Sequence, residues 1–180
     1  MKTLLCILLL SLSTTTTIRA QQAAGPAAFS AADDKAIRAS VEQLLTNFRN
    51  HAFADMAAYT TPDVSWVNIV GMWWRGRPAV QAAHQQIFDA MFKPDTFTPG
   101  ELTIRAVTPD VALVNLRTHV GAFYPPDGID HGHNKQGDND DLLTLVLVKQ
   151  AGRWLLTAGH NTVVDARAAA NNPNARPPGK

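Results

Sequence analysis

The chain has 180 residues, with 16 lysines and arginines against 15 aspartates and glutamates, 46% hydrophobic residues and 17% charged ones. That composition is typical of one soluble domain and excludes both a disordered chain and a polybasic nucleic-acid-binding protein. A near-zero net charge gives no electrostatic attraction to phosphate backbones or anionic lipids. We therefore expect a small, neutral or weakly charged ligand, and neither nucleic acid nor membrane as a partner.

The first 20 residues have the layout of a signal peptide. Lys2 precedes an apolar run from Leu4 to Leu12, and a polar stretch then leads to Ala20, which is the order of charge, hydrophobic core and cleavage region. The run is shorter than the roughly 20 residues that a membrane span requires. We predict cleavage after Ala20, a flexible spacer over 21–30, and a periplasmic or secreted protein. Such a protein retains 14 basic and 15 acidic residues, a net charge of −1.

Several catalytic classes are excluded by residue counts and motifs. Cys6, the only cysteine, lies inside the predicted signal peptide, so the exported chain has no thiol for a disulfide, a nucleophile or a metal site. After cleavage only Ser30, Ser40 and Ser65 remain, and none lies in a GxSxG motif, which disfavours a serine hydrolase. The sequence also has no GxGxxG motif and no P-loop, so a nucleotide-binding domain is unsupported.

The N-terminal half predicts helices followed by a strand. Ser30 is a candidate N-cap for a helix whose apolar residues recur at helical spacing. A short helix is predicted over 54–59 and a strand over 64–70, with residues 72–74 extending the strand or returning beside it. Residues 76–78, Gly-Arg-Pro, open a second long helix. The apolar stripes of the two long helices are Ile37, Val41, Leu44, Leu45 and Phe48, and Val80, Ala83, Ile87, Phe88 and Met91.

The C-terminal half alternates between apolar and polar residues as strands do. A loop around Pro94 and Pro99 precedes it, and we predict strands over 102–106, 111–123, 140–150 and 153–164. The polar segment 124–139, rich in glycine and proline, predicts a long loop or lid. Residues 165–180 predict a frayed tail. Helices followed by antiparallel strands, without βαβ units, indicate one α+β domain over 31–164.

Three segments resemble the SnoaL-like branch of the nuclear transport factor 2-like superfamily, and within it the SgcJ/EcaC type. The first joins the N-terminal helix from 34 onward to the short helix and acidic turn at 54–64. The second is 66–71 (Trp-Val-Asn-Ile-Val-Gly), followed by 75–80 (Arg-Gly-Arg-Pro-Ala-Val). The third is the closing hairpin 145–156, with Trp154 just past its turn.

This resemblance implies a cone in which a strongly curved antiparallel sheet wraps the helices and leaves a pocket. Similar proteins often form homodimers through the sheet. The superfamily includes ketosteroid isomerase, polyketide cyclases, limonene epoxide hydrolase, scytalone dehydratase and non-enzymatic binding domains, and some relatives carry an oxidoreductase label. The fold alone therefore does not select a function.

Two polar residues are placed at the implied pocket by the resemblance. Asn68 stands where the carboxylate base of the ketosteroid isomerase type would stand, and an amide cannot accept a proton at neutral pH. It either orients a ligand or a water molecule, or is an ordinary hydrogen-bonded strand residue. Asp141 either matches the superfamily's pocket acid or is a solvated residue at the start of a strand.

Histidine supplies the other candidate proton carriers, because its side chain titrates near neutral pH. The cone would bring His84, His119 and His160 around one cavity. Strand alternation admits only one of His160 and Asn161 to that cavity, and the sequence does not say which. Trp66 and Trp73 would form an aromatic wall or pack in the core.

The loop 124–139 also contains His131, His133 and several aspartates. Such a set is able to bind a divalent cation, but its spacing matches neither an EF-hand nor the HExxH zinc motif, so we expect no metal site.

The leading hypothesis is an exported domain that binds a small, largely apolar molecule. It would act, if catalytic, as a cofactor-free isomerase, dehydratase or hydrolase with His119, His160 and Asn68 as the catalytic residues. Trp66, Trp73, His84, Asp141 and Asn161 would contact the ligand. The alternative is a non-catalytic binding or dimerisation module.

Overall fold

The computed structural model describes residues 29–92 and 97–175. The predicted signal peptide, most of the predicted spacer, and Pro94 lie outside these ranges. The elements in chain order are α1 (Ala31–Asn50), a 3-10 turn (Met56–Ala58), β1 (Thr60–Val67), β2 (Trp73–Arg75), α2 (Arg77–Ala90), β3 (Phe97–Thr108), β4 (Val111–Val120), β5 (Asn139–Gln150), β6 (Arg153–Val163), α3 (Ala166–Ala169) and a second 3-10 turn (Pro173–Ala175).

Helix α1 begins where the sequence predicts and is fastened to the sheet at its first turn. The Ser30 hydroxyl accepts a hydrogen bond from the Asp33 backbone N–H at 3.1 Å, as an N-cap does. The Asp33 carboxylate accepts the Trp154 indole N–H at 2.8 Å and lies 2.7 Å from Lys149 Nζ. These partners hold the pKa of Asp33 well below its usual range. The helix N-terminus is thereby joined to the β5–β6 hairpin.

The six strands form one sheet in the order β2-β1-β6-β5-β4-β3. All neighbours are antiparallel except β1 and β6, which are parallel. Helix α1 contacts both β6 and β3, although three strand spacings separate those strands. Helix α1 is long enough to reach both, since its 20 residues span about 30 Å and three strand spacings measure about 14 Å. The structure confirms the α+β class, with one parallel pair that the sequence did not predict.

Strand alternation divides the sheet into an inner face, which packs on the helices, and an outer face. Along β4 and β5 every second residue is buried on the inner face. The inner face and the apolar stripes of both long helices form the core, and none of the described helices has the length and hydropathy needed to cross a membrane. The core includes Ile37, Leu44, Phe48, Val80, Phe88, Val114, Leu116, Leu145, Leu147 and Trp154.

Strand β1 begins and ends earlier than predicted. It starts at Thr60 and includes Pro62, whereas the predicted strand begins at residue 64. The register of β1 against β6 shifts between Thr60 and Ser65, and such an irregularity accommodates a proline that cannot donate to the ladder. Because β1 ends at Val67, Val70 lies in the turn and is exposed instead of sharing the face of Trp66.

Two other boundaries differ from the prediction. Strand β3 begins at Phe97 and includes Pro99 and Gly100, which we expected in a loop. Since β3 is an edge strand, a residue without a backbone N–H is tolerated there. The predicted tail contains α3, whose first turn is capped by the Asp165 carboxylate through the Arg167 and Ala168 N–H groups.

Candidate functional site

A cavity of about 250 Å³ lies between α2, the inner face of the sheet and the loop that follows β4. Its wall is largely aromatic and aliphatic, which is typical of small-molecule sites. None of the wall residues that the structure describes is a lysine or an arginine. The wall consists of Phe48, Trp66, Asn68, Ile69, Val70, Met72, Trp74, His84, Ile87, Phe88, Met91, Phe92, Phe97, Val120, Phe123, Pro125, Gln136, Asp141, Leu143 and Asn161.

Asp141 is the only carboxylate among the described residues of this wall. It is 2% exposed because the alternation of β5 turns it to the inner face, in line with Leu143 and Leu145. Burial raises the pKa of Asp141 to about 6, since the apolar surroundings disfavour the ionised form. Hydrogen bonds from Asn161 and Asn139 oppose that rise. The resulting carboxyl group exchanges its proton close to neutral pH.

A short hydrogen-bond chain connects Asp141 to the aromatic wall. The Trp66 indole N–H donates to Asn161 Oδ1 at 3.3 Å, so the Asn161 amide nitrogen is the group that donates to Asp141. Asn139 Nδ2 donates to Asp141 Oδ1 at 2.9 Å. Asn161 therefore occupies the pocket side of β6, which settles the alternative between His160 and Asn161.

Gly159 allows Trp66 to take part in this chain. A Cβ atom added at Gly159 would lie far inside van der Waals distance of three ring carbons of Trp66. The indole consequently packs over Gly159, and its N–H reaches Asn161. The sequence does not predict this role of Gly159, because the contact depends on the pairing of Trp66 with Gly159 across β1 and β6.

His84, on α2, is buried in the wall among aromatic rings. Its ring packs edge-on against Trp66 and Trp74, with centroids 4.9 and 5.2 Å apart. Burial lowers the pKa of His84 to about 4, so the imidazole is neutral at pH 7. Nδ1 lies 2.8 Å from the Val80 carbonyl oxygen, and because a carbonyl only accepts, Nδ1 carries the hydrogen and Nε2 carries the lone pair.

Asn68 has a structural task as well as a place in the wall. Its side-chain oxygen accepts the backbone N–H groups of Val70 and Met72, at 3.1 and 2.8 Å. These bonds shape the turn between β1 and β2, and that turn carries Val70 and Met72 at the cavity rim. The amide nitrogen of Asn68 remains as a donor at the wall.

The structure places three predicted site residues outside the cavity. His119 and His160 lie on the outer face because each is one residue out of phase with the inner-face positions of β4 and β6. Trp73 is exposed, donates its indole N–H to Ser65 Oγ at 2.8 Å and stacks under Arg75. The expectation that these side chains line the cavity is wrong. Trp66, Asn68, His84, Asp141 and Asn161 do line it.

The segment between β4 and β5, predicted as a loop or lid, forms one side of the cavity. Phe123 stacks on Phe92 with centroids 4.4 Å apart and pairs through its backbone with Gln136. The Tyr124 N–H donates to the Met91 carbonyl at the end of α2. The sequence does not predict Phe123 and Gln136 as site residues, since a polar loop gives no periodicity from which to place them.

The two described histidines of this loop have different partners, one a carboxylate and the other a backbone carbonyl. His131 lies 3.1 Å from Asp127, and His133 bonds to the His131 carbonyl oxygen. Within residues 29–92 and 97–175, no three His, Cys, Asp or Glu side chains are arranged so that they could hold a metal ion.

Comparison with known proteins agrees with this architecture. The family model of the SnoaL-like domain matches residues 37–165. A cystatin-like-fold structure from Caulobacter vibrioides is 33% identical over 78% of this chain and 96% of its own, with a TM-score of 0.72. A search of curated proteins found no significant match.

Two more distant structures share the fold. A candidate dehydratase of the NTF2-like family from Streptomyces avermitilis is 20% identical, covers 75% of this chain and 98% of its own, and has a TM-score of 0.59. A ketosteroid isomerase-like protein from Erwinia carotovora atroseptica is 16% identical, with coverages of 73% and 95% and a TM-score of 0.58. The chain therefore belongs to the SnoaL-like domain family.

Proposed function

We propose that this protein binds a small, largely apolar molecule in the cavity and catalyses cofactor-independent proton transfer on it, with Asp141 as the proton carrier. The observation that carries the proposal is the burial of Asp141, with a pKa of about 6, in a wall that is largely apolar and whose other described residues carry no charge at pH 7. A titratable group of this kind in a cleft is a candidate acid or base.

The other polar groups of the wall suit a ligand that carries one oxygen function. The amide nitrogen of Asn68 is free to donate to such an oxygen, since only the amide oxygen is used in the turn. The neutral His84 adds no charge that would hold an anionic substrate. Ionised Asp141 would then remove a proton from a carbon next to a carbonyl group and return it elsewhere on the ligand.

This role replaces the histidine mechanism expected from the sequence. His119 and His160 point away from the cavity, and His84 has a pKa of about 4, which makes it a weak base. The names of two distant relatives, a candidate dehydratase and a ketosteroid isomerase-like protein, are compatible with acid/base chemistry in this fold. The SgcJ/EcaC subtype stays a prediction.

Deuterium uptake by a simple ketone tests the proposal directly. The probe is 2-tetralone, an apolar aromatic ketone with exchangeable hydrogens next to its carbonyl, followed by NMR in D₂O at pH 7. We expect the wild-type protein to exchange these hydrogens at least 100-fold faster than the Asp141→Asn variant, the usual range for one acid/base group. Asp140→Asn, altered one residue away on the outer face, is the matched control and keeps the wild-type rate. Equal rates in wild type and Asp141→Asn contradict the proposal.

A non-catalytic binding module is the second candidate, and one observation favours it. Asp141, Asn161, Asn139 and Trp66 satisfy one another by hydrogen bonds, as polar groups of a passive wall do. Quenching of Trp66 and Trp74 fluorescence by 2-tetralone, without any deuterium uptake above the buffer rate, would select this candidate.

We also propose that the protein is exported and forms a homodimer through the outer face of the sheet. Apolar side chains on β4 and β5 support the dimer, because Leu113, Leu142 and Val146 are half-buried on that face, and the two long helices of the described part of the chain pack on the other face. A Val146→Lys variant would be monomeric in analytical ultracentrifugation if this face is the interface. A monomeric wild-type protein would refute the proposed dimer.

Mass spectrometry of the exported chain would locate the cleavage site.

A further inference from the structure

Thr118 has a buried hydroxyl group that makes no hydrogen bond in the described part of the chain. The residue is 2% exposed, on the inner face of β4. Its Oγ1 is shielded from solvent and has no hydrogen-bond partner within the described part of the chain. A buried polar atom without a partner destabilises a protein, so its presence calls for a physical reason.

The sheet register places Thr118 directly opposite Asp141. The two residues are paired across β4 and β5 and both point to the inner face. Directly opposed residues have Cβ atoms roughly 4.5–5.5 Å apart. Rotation of the threonine side chain about its Cα–Cβ bond is therefore sufficient to bring the hydroxyl to the carboxyl group.

Asp141 has room for this donor. An ionised carboxylate offers about four lone-pair positions, and the described residues supply donors from the Asn139 and Asn161 side chains. The charged and titratable groups nearby are Asp140, which raises the pKa of Asp141, and His119, which lowers it. His84 lines the same cavity from α2 and is neutral at pH 7.

We propose that Thr118 is a positioning residue, which donates its hydroxyl hydrogen to Asp141 when that carboxylate ionises and so holds it in its working orientation. This inference deepens the proposed function, on which its catalytic meaning rests. The hydroxyl group makes no hydrogen bond to Asp141 while that carboxyl group is protonated, and it donates one once the carboxyl group has ionised.

The test is a pH titration of the Asp141 side-chain carboxyl carbon by NMR in the ligand-free protein. Thr118→Val removes the hydroxyl and keeps the shape. We expect the pKa of Asp141 to rise by about one unit in Thr118→Val, because the ionised form has lost a donor, and to remain at the wild-type value in Thr118→Ser. Thr162→Val, an exposed position on β6, is the control for the added methyl group and leaves the pKa unchanged.

Thermal stability gives a second readout that an idle hydroxyl would not produce. If the proposal holds, Thr118→Val melts at a lower temperature than wild type at pH 8, and at the same or a higher temperature at pH 4.5. A hydroxyl that never pairs would make Thr118→Val more stable at both pH values. That result, or an unchanged pKa of Asp141 in Thr118→Val, overturns the proposal.

Two further comparisons cover the case in which a variant fails to fold and the case in which the protein does not exchange the ketone hydrogens. Should Thr118→Val fail to fold, Thr118→Ala against Thr118→Ser isolates the hydroxyl equally well. Because the titration uses no ligand, it is independent of the deuterium exchange assay. A shifted pKa without ketone exchange would leave the positioning role intact and refute only the proposed function.

Discussion

Asp140 and Asp141 are neighbours of the same residue type, and the sheet gives them opposite properties. Asp140 lies on the outer face, where its exposed carboxylate meets His119 at 3.1 Å. Asp141 lies on the inner face at 2% exposure, with its pKa raised to about 6. The two faces of one strand therefore separate an ordinary surface carboxylate from a candidate proton carrier, and a register slip of one residue would exchange them.

The same contrast holds for the histidines. His84 is enclosed by aromatic rings and has a pKa lowered to about 4. His119 and His160 are solvent-exposed on the outer face. Whether an aspartate or a histidine of this fold can act on a ligand therefore depends on whether its side chain reaches the cavity or is exposed on the outer face.

The largest expected effect comes from filling the space that Gly159 leaves on the inner face. In Gly159→Ala the new methyl group collides with the Trp66 ring, and the indole must leave its place against β6. We expect the free energy of unfolding to fall by about 3–4 kcal/mol, as for severe overpacking in a core. His160→Ala, one residue away on the outer face, should change it by less than about 0.5 kcal/mol. Urea unfolding of both variants makes the comparison, and similar losses would contradict the division into two faces.

Two buried titratable groups of the cavity wall, Asp141 on β5 and His84 on α2, have opposite effects on stability. The folded-state pKa of Asp141 lies above its ordinary 3.8, so between pH 4 and 6 the folded protein binds more protons than the unfolded one and its stability falls as pH rises. The folded-state pKa of His84 lies below its ordinary 6.5, so in the same window its contribution rises with pH. The two contributions nearly cancel in the wild-type protein.

Single substitutions should uncover each contribution. Asp141→Asn leaves the histidine alone, and its free energy of unfolding should rise by up to about 3 kcal/mol from pH 4 to 6.5 relative to wild type. In His84→Phe, only the Asp141 contribution remains, and stability should fall by about 3 kcal/mol from pH 4 to 6. Urea titrations at half-unit pH intervals measure both slopes. Slopes of the same sign in the two variants would show that one of these groups is not buried as described.

The pH dependence of hydrogen exchange in 2-tetralone should follow the ionisation of Asp141 and should not depend on Asp140. A base must be ionised, so the rate should rise about 50-fold from pH 4 to 6 and level off, at about 100 times its pH 4 value, above the Asp141 pKa of about 6. The same curve is expected for Asp140→Asn, displaced by no more than a few tenths of a pH unit. A midpoint near pH 4 would assign the chemistry to an exposed carboxylate.

Periodicity predicted most of the fold because the helices and strands are strongly patterned. Ser30 as the N-cap, the stripe ending at Phe48 and the β5–β6 hairpin are all confirmed. The start of β3 was not predictable, because Pro99 and Gly100 read as loop residues until the strand is known to be an edge. The parallel pairing of β1 with β6 is a long-range contact, which local sequence does not encode.

Site residues were predictable where the strand alternation is regular. They were not predictable where the alternation does not show which residues point to the inner face. Trp66 and Asn68 follow the phase of β1, and both line the cavity. His119 was misplaced because the predicted strand ran on to Phe123 and its inward phase was not fixed. Asp141 was noticed only through the family resemblance, and its burial depends on the pairing with β4.

The smallest expected effect belongs to the outer pair of His119 and Asp140. Both side chains are about half exposed, and the contact between them is therefore screened by water and salt. A double-mutant cycle with His119→Asn and Asp140→Asn at pH 6 should give a coupling energy of about 0.2–1 kcal/mol, which declines as salt increases. Arg117, 4.0 Å from Asp140, adds a second exposed partner to the same carboxylate. A coupling above about 2 kcal/mol, unaffected by salt, would mean that a second copy of the chain covers this face in solution, because only removal of water makes such a pair strong.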